Sequence, residues 1–329
     1  MLSENLGNEK NEDQVYVYDK VKNCTYPTNV DNIAAKRYFY DIDFNAIISE
    51  KGYDIYGIST DELNELNDNQ TIENFLSEYV EGNYKTFLRT KIDRITQMNA
   101  WELNNCFFIT EEEIAELSFY MAIQMIRGKS VRNAIDNLSD VLTQMLTDKG
   151  ASKETIDKYS SSPSELPFIQ GRMILDAESI LNLMESFASK EWILYYNQTE
   201  QPFFTSDNPI VRIPHVKHPF LSMGGLSSKG IEICFPLSPQ MVLSMYDGEY
   251  HMYTKKLHRK IYVINDVETI NQINLPMVIN AERWIVSQNN DFSLVQNAMN
   301  KKRTSLPAME LHYNGKTYTP KTNNSEMKQ

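Results

Sequence analysis

The residues best suited to chemistry stand in a short polar segment between two apolar runs. Ser206, Asp207 and Asn208 precede Pro209, which fixes its own φ angle and disfavours a helical conformation at Asn208. They bring a hydroxyl, a carboxylate and an amide to the end of a predicted strand, where they would orient a substrate or a metal ion. The alternative is a rigid turn in which Ser206 and Asp207 bond to local backbone groups.

A second polar group marks the junction of two predicted helices in the middle of the chain. Gln124 and Arg127 lie at the end of one helix, and Arg132 lies near the start of the next. A guanidinium group binds carboxylates and phosphates through paired hydrogen bonds, so this junction is a candidate substrate-binding surface. The alternative is a tether between helices, with Glu73 or Glu81 as the ion-pair partner.

The patterns that would bind a metal ion are weak. His215 and His218 lie on a predicted loop without a further His or Cys nearby, and two imidazoles fall short of a zinc ligand set. Asp207 and Glu232 would supply two carboxylates for Mg²⁺. However, Cys234 occupies the position of the lysine that polarises the scissile phosphate in a nuclease. The sequence therefore assigns no metal ligand and leaves the cofactor unknown, with Mg²⁺ the ion that such a carboxylate pair would take.

Charge limits the classes of partner. The 329 residues include 44 acidic and 32 basic side chains, a net charge of −12, which argues against a general DNA-coating role. The densest basic segment is 255–260. It is either a solvated turn or a local contact to phosphate or RNA.

Cysteine use and hydropathy indicate the compartment. The three cysteines are scattered and include no Cys-x-x-Cys pair, which predicts free thiols in a reducing environment. The first residues are polar and acidic, which is not typical of a secretory signal. No apolar run approaches the ~18 residues of a membrane span. We therefore expect a cytoplasmic protein without a membrane segment.

The apolar spacing predicts strands at both ends of the chain and helices between them. Val15–Tyr18 alternates with period two, and Tyr38–Tyr40 is a second short strand. Helical spacing predominates from about residue 71, with a capping box that begins at Thr110. Further strands are predicted at 192–196, 203–205, 210–213, 231–235, 241–245, 260–264 and 284–287. This order predicts an α+β fold whose mixed or antiparallel sheet is built from N- and C-terminal strands around a central helical block.

We expect a single domain over residues 1–329. Within it, N-terminal strands and a loop occupy residues 1–60, and the helical block occupies 70–188. The strand-rich part covers 190–312, and 315–329 has so few apolar residues that it is predicted to be a disordered tail.

Several of these segments, in this order, resemble the bacterial domain-of-unknown-function family 4238 (DUF4238), and the resemblance covers nearly the whole chain. The matching segments are VYVYDK at Val15–Lys20, Tyr38–Tyr40, Ile72-Glu73 with Glu81, Gln124-x-x-Arg127, Trp192 with the FFTSDNP segment, and the run from Ile231 to Pro239. On this resemblance Trp192 joins Gln124, Arg127 and Arg132 as a candidate substrate-binding residue.

The resemblance implies no established reaction. Some members of the family occur among bacterial anti-phage defence genes, which implies a conditional toxin, a nuclease or a sensor. The family usually opens with a His-x-x-Pro segment before the first strand, and here only Leu2–Leu6 is similar to the end of that segment. Either the recorded start lies too late or this copy lacks the histidine, which would matter if that side chain is a general base or a ligand.

Our leading hypothesis is an intracellular defence protein that acts on nucleic acid or a nucleotide, as a nuclease or another phosphate-ester-directed hydrolase. Arg127 and Arg132 would bind phosphate, while Asp207, with its two polar neighbours, would orient the substrate. The competing hypothesis is a non-catalytic sensor that binds a ligand or a phage protein with the same groups. In a third reading, all of these residues only hold the fold together.

Overall fold

The computed structural model describes residues 14–29, 74, 76–162, 164–217, 223–301, 311–313 and 316–320. Its α+β architecture confirms the predicted fold class: an antiparallel sheet and a mixed sheet accompany a helical block. The predictions made for Leu2–Leu6, Tyr38–Tyr40, 44–70, Ile72-Glu73 and His218 lie outside the described residues.

The helices follow the predicted spacing, with shifted ends. A π-helical turn, Leu76–Glu81, leads into the first of them. In the described residues the α-helices are Gly82–Thr96 (α1), Ala100–Asn105 (α2), Glu111–Ile126 (α3), Lys129–Asp148 (α4), Lys153–Tyr159 (α5), Leu166–Leu175 (α6), Ala177–Ala188 (α7), Val267–Asn280 (α8) and Ser293–Asn300 (α9). A 3-10 helix covers Met252–Leu257.

Most strands lie where period two and apolar runs predict them. The described strands are Gln14–Asp19 (β1), Cys24–Asn29 (β2), Glu191–Asn197 (β3), Thr205–Ser206 (β4), Val211–Pro214 (β5), Ile231–Ser238 (β6), Met241–Tyr246 (β7), Lys260–Ile264 (β8), Trp284–Ser287 (β9), Leu311–Tyr313 (β10) and Lys316–Tyr318 (β11). Thr205–Ser206 overlaps the predicted strand 203–205 at Thr205 alone, and Cys24–Asn29, Leu311–Tyr313 and Lys316–Tyr318 were not predicted.

The antiparallel sheet joins the two ends of the chain, as the sequence predicts. Its described order is β2-β1-β9-β4. Tyr18 lies opposite Ile285, and Thr205 lies opposite Val286. The inner neighbour of the β1–β2 hairpin is therefore β9, a strand more than 250 residues later in the chain.

The mixed sheet contains the strands that matter most for the site. Its order is β5-β6-β7-β3-β8, and only the β3–β8 pair is parallel. Nearly every residue of β6 and every residue of β7 is buried. Such strands are covered on both faces and therefore read as continuous apolar runs rather than alternating ones. A polar side chain on them is buried as well, so it requires a partner.

The N-cap residues of α3 and α4, in the middle of the chain, are Thr110 and Gly128. The capping box at Thr110 is confirmed, because its backbone N–H donates to Glu113 and its Oγ1 accepts from the Glu113 N–H. Gly128 is the N-cap residue of α4, and Ser130 lies within the first turn of that helix.

The chain forms two compact units. The first comprises Met1–Ala35, Glu81–Met125 and Glu178–Ser305, and it contains both large sheets. The second comprises Lys36–Val80, Ile126–Ala177 and Leu306–Gln329, and it contains α4, α5, α6 and the β10–β11 hairpin. The single-domain expectation stays a prediction.

Part of the predicted tail is structured. Lys316–Tyr318 pairs with β10, and Tyr318 is buried. Lys316 Nζ and the Tyr318 hydroxyl both bond to the Asp148 carboxylate of α4, at 2.9 and 3.2 Å. The disordered-tail prediction is therefore wrong for these three residues. The Asp148 carboxylate binds two of their side chains, which stabilises a strand that has few apolar residues of its own.

Gly230 should be required by the backbone just before β6. Its φ is +72°, and an added Cβ would lie 2.7 Å from Val216 Cγ2. We expect Gly230→Ala to lower the free energy of unfolding by about 1–2 kcal/mol or more, from the left-handed conformation and the contact together. The control is Gly82→Ala, because a helical Cβ there meets nothing within 4 Å and should stabilise by about 0.5–1 kcal/mol. Urea unfolding checks both, and equal effects would contradict the expectation.

Candidate functional site

Asp207 bonds to the backbone of a distant segment. Its carboxylate accepts hydrogen bonds from three consecutive N–H groups, those of Glu282 at 3.0 Å, Arg283 at 2.8 Å and Trp284 at 3.1 Å. The backbone N–H of Asp207 in turn donates to the Trp284 carbonyl. Both carboxylate oxygens therefore act as acceptors for the chain that enters β9.

The neighbours of Asp207 have similar roles. Ser206 Oγ accepts the Asn208 N–H at 3.1 Å, and Asn208 Nδ2 donates to the Asn280 carbonyl at 3.2 Å. Burial raises the pKa of Asp207, and the three backbone N–H groups and the Lys20 ammonium oppose this shift. The Ser206–Asn208 contact matches the rigid-turn alternative, whereas Asp207 bonds to a distant segment instead of local backbone. A catalytic role for these three residues stays a prediction.

The predicted arginine junction contains a buried amide. In the second unit, Arg132 Nε donates to Gln170 Oε1 at 2.9 Å. Gln170 is fully buried, and its Nε2 donates to the carbonyls of Ile126 at 2.7 Å and Gly128 at 3.0 Å. These bonds fix the turn between α3 and α4, which is the tether alternative with Gln170 in place of a glutamate.

The remaining predicted substrate-binding residues differ in exposure. Trp192 is fully buried, and its Nε1 donates to the Phe187 carbonyl at 3.0 Å, so its ring belongs to the core. Gln124 is half-buried on α3 in the first unit, and Arg127 directly follows that helix in the second. A shared phosphate pocket of Arg127 and Asp207 stays a prediction.

The basic segment 255–260 contacts protein groups. Arg259 has φ +61° and its Nη1 lies 3.0 Å from Glu111. The cations of Arg259 and Lys260 lie 4.5 and 4.4 Å from the centre of the Phe107 ring. Two cations of the basic segment therefore already contact protein groups, through cation–π contacts and one ion pair. A contact of this segment to phosphate or RNA stays a prediction.

A different group of polar side chains meets on one face of the mixed sheet. His215 Nε2 lies 2.7 Å from Glu232 Oε2, while the other Glu232 oxygen accepts from Cys234 Sγ at 3.4 Å. Cys234 Sγ also lies 3.2 Å from Ser244 Oγ. These contacts form a continuous chain from a partly exposed imidazole to a fully buried hydroxyl.

Three further rings complete this group. The hydroxyls of Tyr195 and Tyr246 lie 2.7 Å apart, and the ring of His251 packs edge-on against those of His215 and Tyr246. We call the set the Glu232 cluster; its members are Tyr195, His215, Glu232, Cys234, Ser244, Tyr246 and His251.

Strand register brings these residues together. Glu232 lies opposite Tyr246, and Cys234 lies opposite Ser244, across the β6–β7 pair. Directly opposed residues of antiparallel strands share a face. His215 immediately follows β5, and Ile213 of that strand lies opposite Glu232. The path of β5 therefore places the imidazole beside the carboxylate.

The cluster contains one imidazole with a raised pKa and several neutral donors. The hydrogen bond to Glu232 raises the pKa of His215. Burial raises the pKa of the phenols of Tyr195 and Tyr246, and it raises the pKa of the Cys234 thiol well above its usual range. The thiol is therefore protonated and inert at neutral pH.

His251 is the least satisfied member. It is buried, and its Nε2 has no hydrogen-bond partner among the residues that the structure describes. Burial lowers its pKa, and the neighbouring charge of His215 lowers it further. The ring is thus a neutral imidazole between the His215–Glu232 pair and two exposed tyrosines, Tyr250 and Tyr253.

The sequence contained parts of this site without their connection. It singled out His215 with His218, and Glu232 with Asp207, because those residues are near one another in sequence or type. The informative signal was Glu232-x-Cys234 within an otherwise apolar strand, because buried polar residues on one strand face imply a partner on the next.

Across the described ranges, no set of three or more His, Cys, Asp or Glu side chains is arranged to hold a metal ion.

Among the helices that the structure describes, none has the length and apolar content to cross a bilayer.

Fold and site together define an α+β protein with a buried acid–imidazole–phenol cluster on a mixed sheet. Residues 5–291 match the model of the family described as "Protein of unknown function (DUF4238)". The chain therefore belongs to the DUF4238 family. Neither the curated proteins nor the solved structures contain a match to it.

Asp207→Asn should be strongly destabilising if the carboxylate anchors the segment before β9. The substitution leaves one acceptor oxygen for three N–H groups, so we expect the free energy of unfolding to fall by about 2–4 kcal/mol. Ser206→Ala is the control, since it removes one acceptor and should cost about 0.5–1.5 kcal/mol. Denaturant unfolding of both variants measures the difference, and an Asp207→Asn protein as stable as the parent would refute the anchor.

Glu232→Gln should change the titration of His215. The folded-state pKa of His215 is raised, so the stabilisation from the pair is complete below its ordinary value near 6.5 and is lost as pH rises through the folded value. We expect the variant to lower the His215 pKa and to lose more stability near about pH 6 than near about pH 9. NMR titration of the imidazole signals, assigned with His215→Asn, checks this; an unchanged pKa would contradict the pairing.

Proposed function

We propose that the Glu232 cluster is an acid–base site, and that the protein is a cytoplasmic defence protein that hydrolyses a phosphate ester in nucleic acid or a nucleotide. The observation that carries the proposal is the 2.7 Å contact between His215 and Glu232 at the edge of a buried polar network. A carboxylate and an imidazole in direct contact can divide the roles of base and acid.

The reaction follows from the positions of the two groups. Glu232 removes a proton from water as the water oxygen bonds to phosphorus, and His215, as imidazolium, protonates the leaving oxygen when the P–O ester bond breaks. Glu232 then releases its proton to solvent and the partly exposed His215 takes one up from solvent, which restores both groups. The neutral phenols of Tyr195 and Tyr246 are hydrogen-bond donors for developing negative charge.

Aromatic surface beside the pair supports a nucleotide as substrate. Tyr250 and Tyr253 are 43% and 64% exposed, and both rings contact His251 at centroid distances of 4.8 and 6.1 Å. Exposed aromatic rings stack on nucleobases without selecting a sequence. A base on either tyrosine would bring its phosphate towards the imidazole end of the cluster.

The second candidate is a non-catalytic sensor for a nucleotide or a phage protein. It is favoured by the raised pKa values of Tyr195, Tyr246 and Cys234, which keep these groups protonated as neutral donors. Groups of that kind bind a ligand without reacting with it. In this case the same residues recognise the ligand, and no bond is broken.

Purified protein tested on RNA, single-stranded DNA and a set of nucleotides separates these functions. We expect hydrolysis, followed by mass spectrometry, to fall at least about 100-fold in Glu232→Gln and in His215→Asn. The matched control is Glu191→Gln, because Glu191 and His258 form a second carboxylate–imidazole pair in the same unit, at 3.0 Å. That variant should retain full activity.

Two outcomes would contradict the proposed hydrolytic function. Hydrolysis that is unchanged in both cluster variants, with unchanged circular dichroism, places the chemistry elsewhere. Nucleotide binding without turnover in the parent protein, lost in Glu232→Gln, identifies the sensor instead.

A further inference from the structure

A cavity of about 330 Å³ lies between the β1–β2 hairpin and α9, within the first unit. It shares no residue with the Glu232 cluster. Its volume is within the range of small-molecule sites. It therefore offers a separate place for a ligand the size of a monosaccharide or a nucleoside.

The lining of the cavity is polar but uncharged. The hairpin contributes Tyr18, Asn23, Cys24 and Thr25, and α9 contributes Gln296, Met299 and Asn300. None of these described lining residues carries a formal charge at neutral pH, since burial raises the pKa of the Tyr18 phenol. Carboxamides on both sides present donors and acceptors at once.

The hairpin side is held rigidly. Asp19 Oδ1 accepts the N–H groups of Val21 at 2.9 Å and Lys22 at 3.0 Å, while Asp19 Oδ2 accepts from Arg283 Nε at 3.0 Å. The Tyr18 hydroxyl donates to Asn23 Oδ1, which fixes one wall of the cavity. A preformed wall reduces the entropy lost on binding.

We propose that this cavity binds an uncharged, polyhydroxylated ring, either a free sugar or the sugar of a nucleoside. Hydroxyl groups both donate and accept, as the three carboxamides do, so each can be satisfied within the cavity. An ionised ligand would find no charged side chain among the described lining residues to favour it over an uncharged one. The proposal is independent of the hydrolytic function proposed above.

Cys24 provides a direct reporter of occupancy, because it lines the cavity and its side chain is exposed. Alkylation of the full-length protein with N-ethylmaleimide is followed by mass spectrometry in the presence of ribose, glucose, adenosine or adenosine monophosphate. We expect ribose or adenosine, at about ten times its dissociation constant, to slow Cys24 alkylation about tenfold. The rate at Cys106, which does not line the cavity, should not change.

Variants on α9 make the test specific. Gln296→Leu and Asn300→Leu should abolish the protection, whereas Asn297→Leu should retain it, because Asn297 is exposed on the same helix but does not line the cavity. Protection by adenosine but not by ribose or glucose identifies a nucleoside, and protection by the free sugars identifies a saccharide site. Absence of protection by all four probes, or stronger protection by the monophosphate than by adenosine, would overturn the proposal.

Discussion

The structure depends on one carboxylate that accepts three consecutive backbone N–H groups. The chain leaves the antiparallel sheet at Ser206 and enters the mixed sheet at Val211, and Asp207 lies in the short connection between them. By bonding to residues 282–284, it attaches this crossing to the start of β9, an inner strand of the antiparallel sheet. The chain continues from this anchored connection in the direction of β5, which runs antiparallel to β6.

That direction has a chemical consequence. The strand β5 ends at Pro214, and the next residue is the histidine that contacts Glu232. The carboxylate itself stands on a strand covered on both faces, where an unpaired charge would be costly. In the Glu232 cluster, His215, Cys234 and Ser244 accordingly provide the carboxylate and one another with hydrogen-bond partners, and the His215 imidazole is partly exposed.

The first unit thus contains two polar sites with different chemistry. The Glu232 cluster has a carboxylate–imidazole contact and two imidazoles, His215 and His251, whose pKa values are shifted in opposite directions. Perturbed pKa values of this kind are common where protons are moved. The cavity beside α9 has carboxamides and a phenol, which recognise shape and hydrogen-bonding pattern without transferring charge. Both use the rigid strands of this unit as their support.

The sequence alone predicted the fold class and most elements, because apolar spacing reflects which side of a strand or helix is buried. It also identified the polar turn before Pro209 and the capping box at Thr110, whose interactions are local. The role of Asp207 could not be predicted, since its acceptors serve residues about 75 positions away.

Tertiary structure alone decided the candidate site. Glu232 meets Tyr246 through strand register and meets His215 through the path of β5, and neither contact has a signature in local sequence. Trp192, which the family resemblance offered as a substrate contact, is completely enclosed by the core, and its burial likewise depends on the tertiary structure. Spacing along a chain reports burial, whereas a site requires particular atoms at hydrogen-bond distance, and only the pairing of distant strands sets those distances.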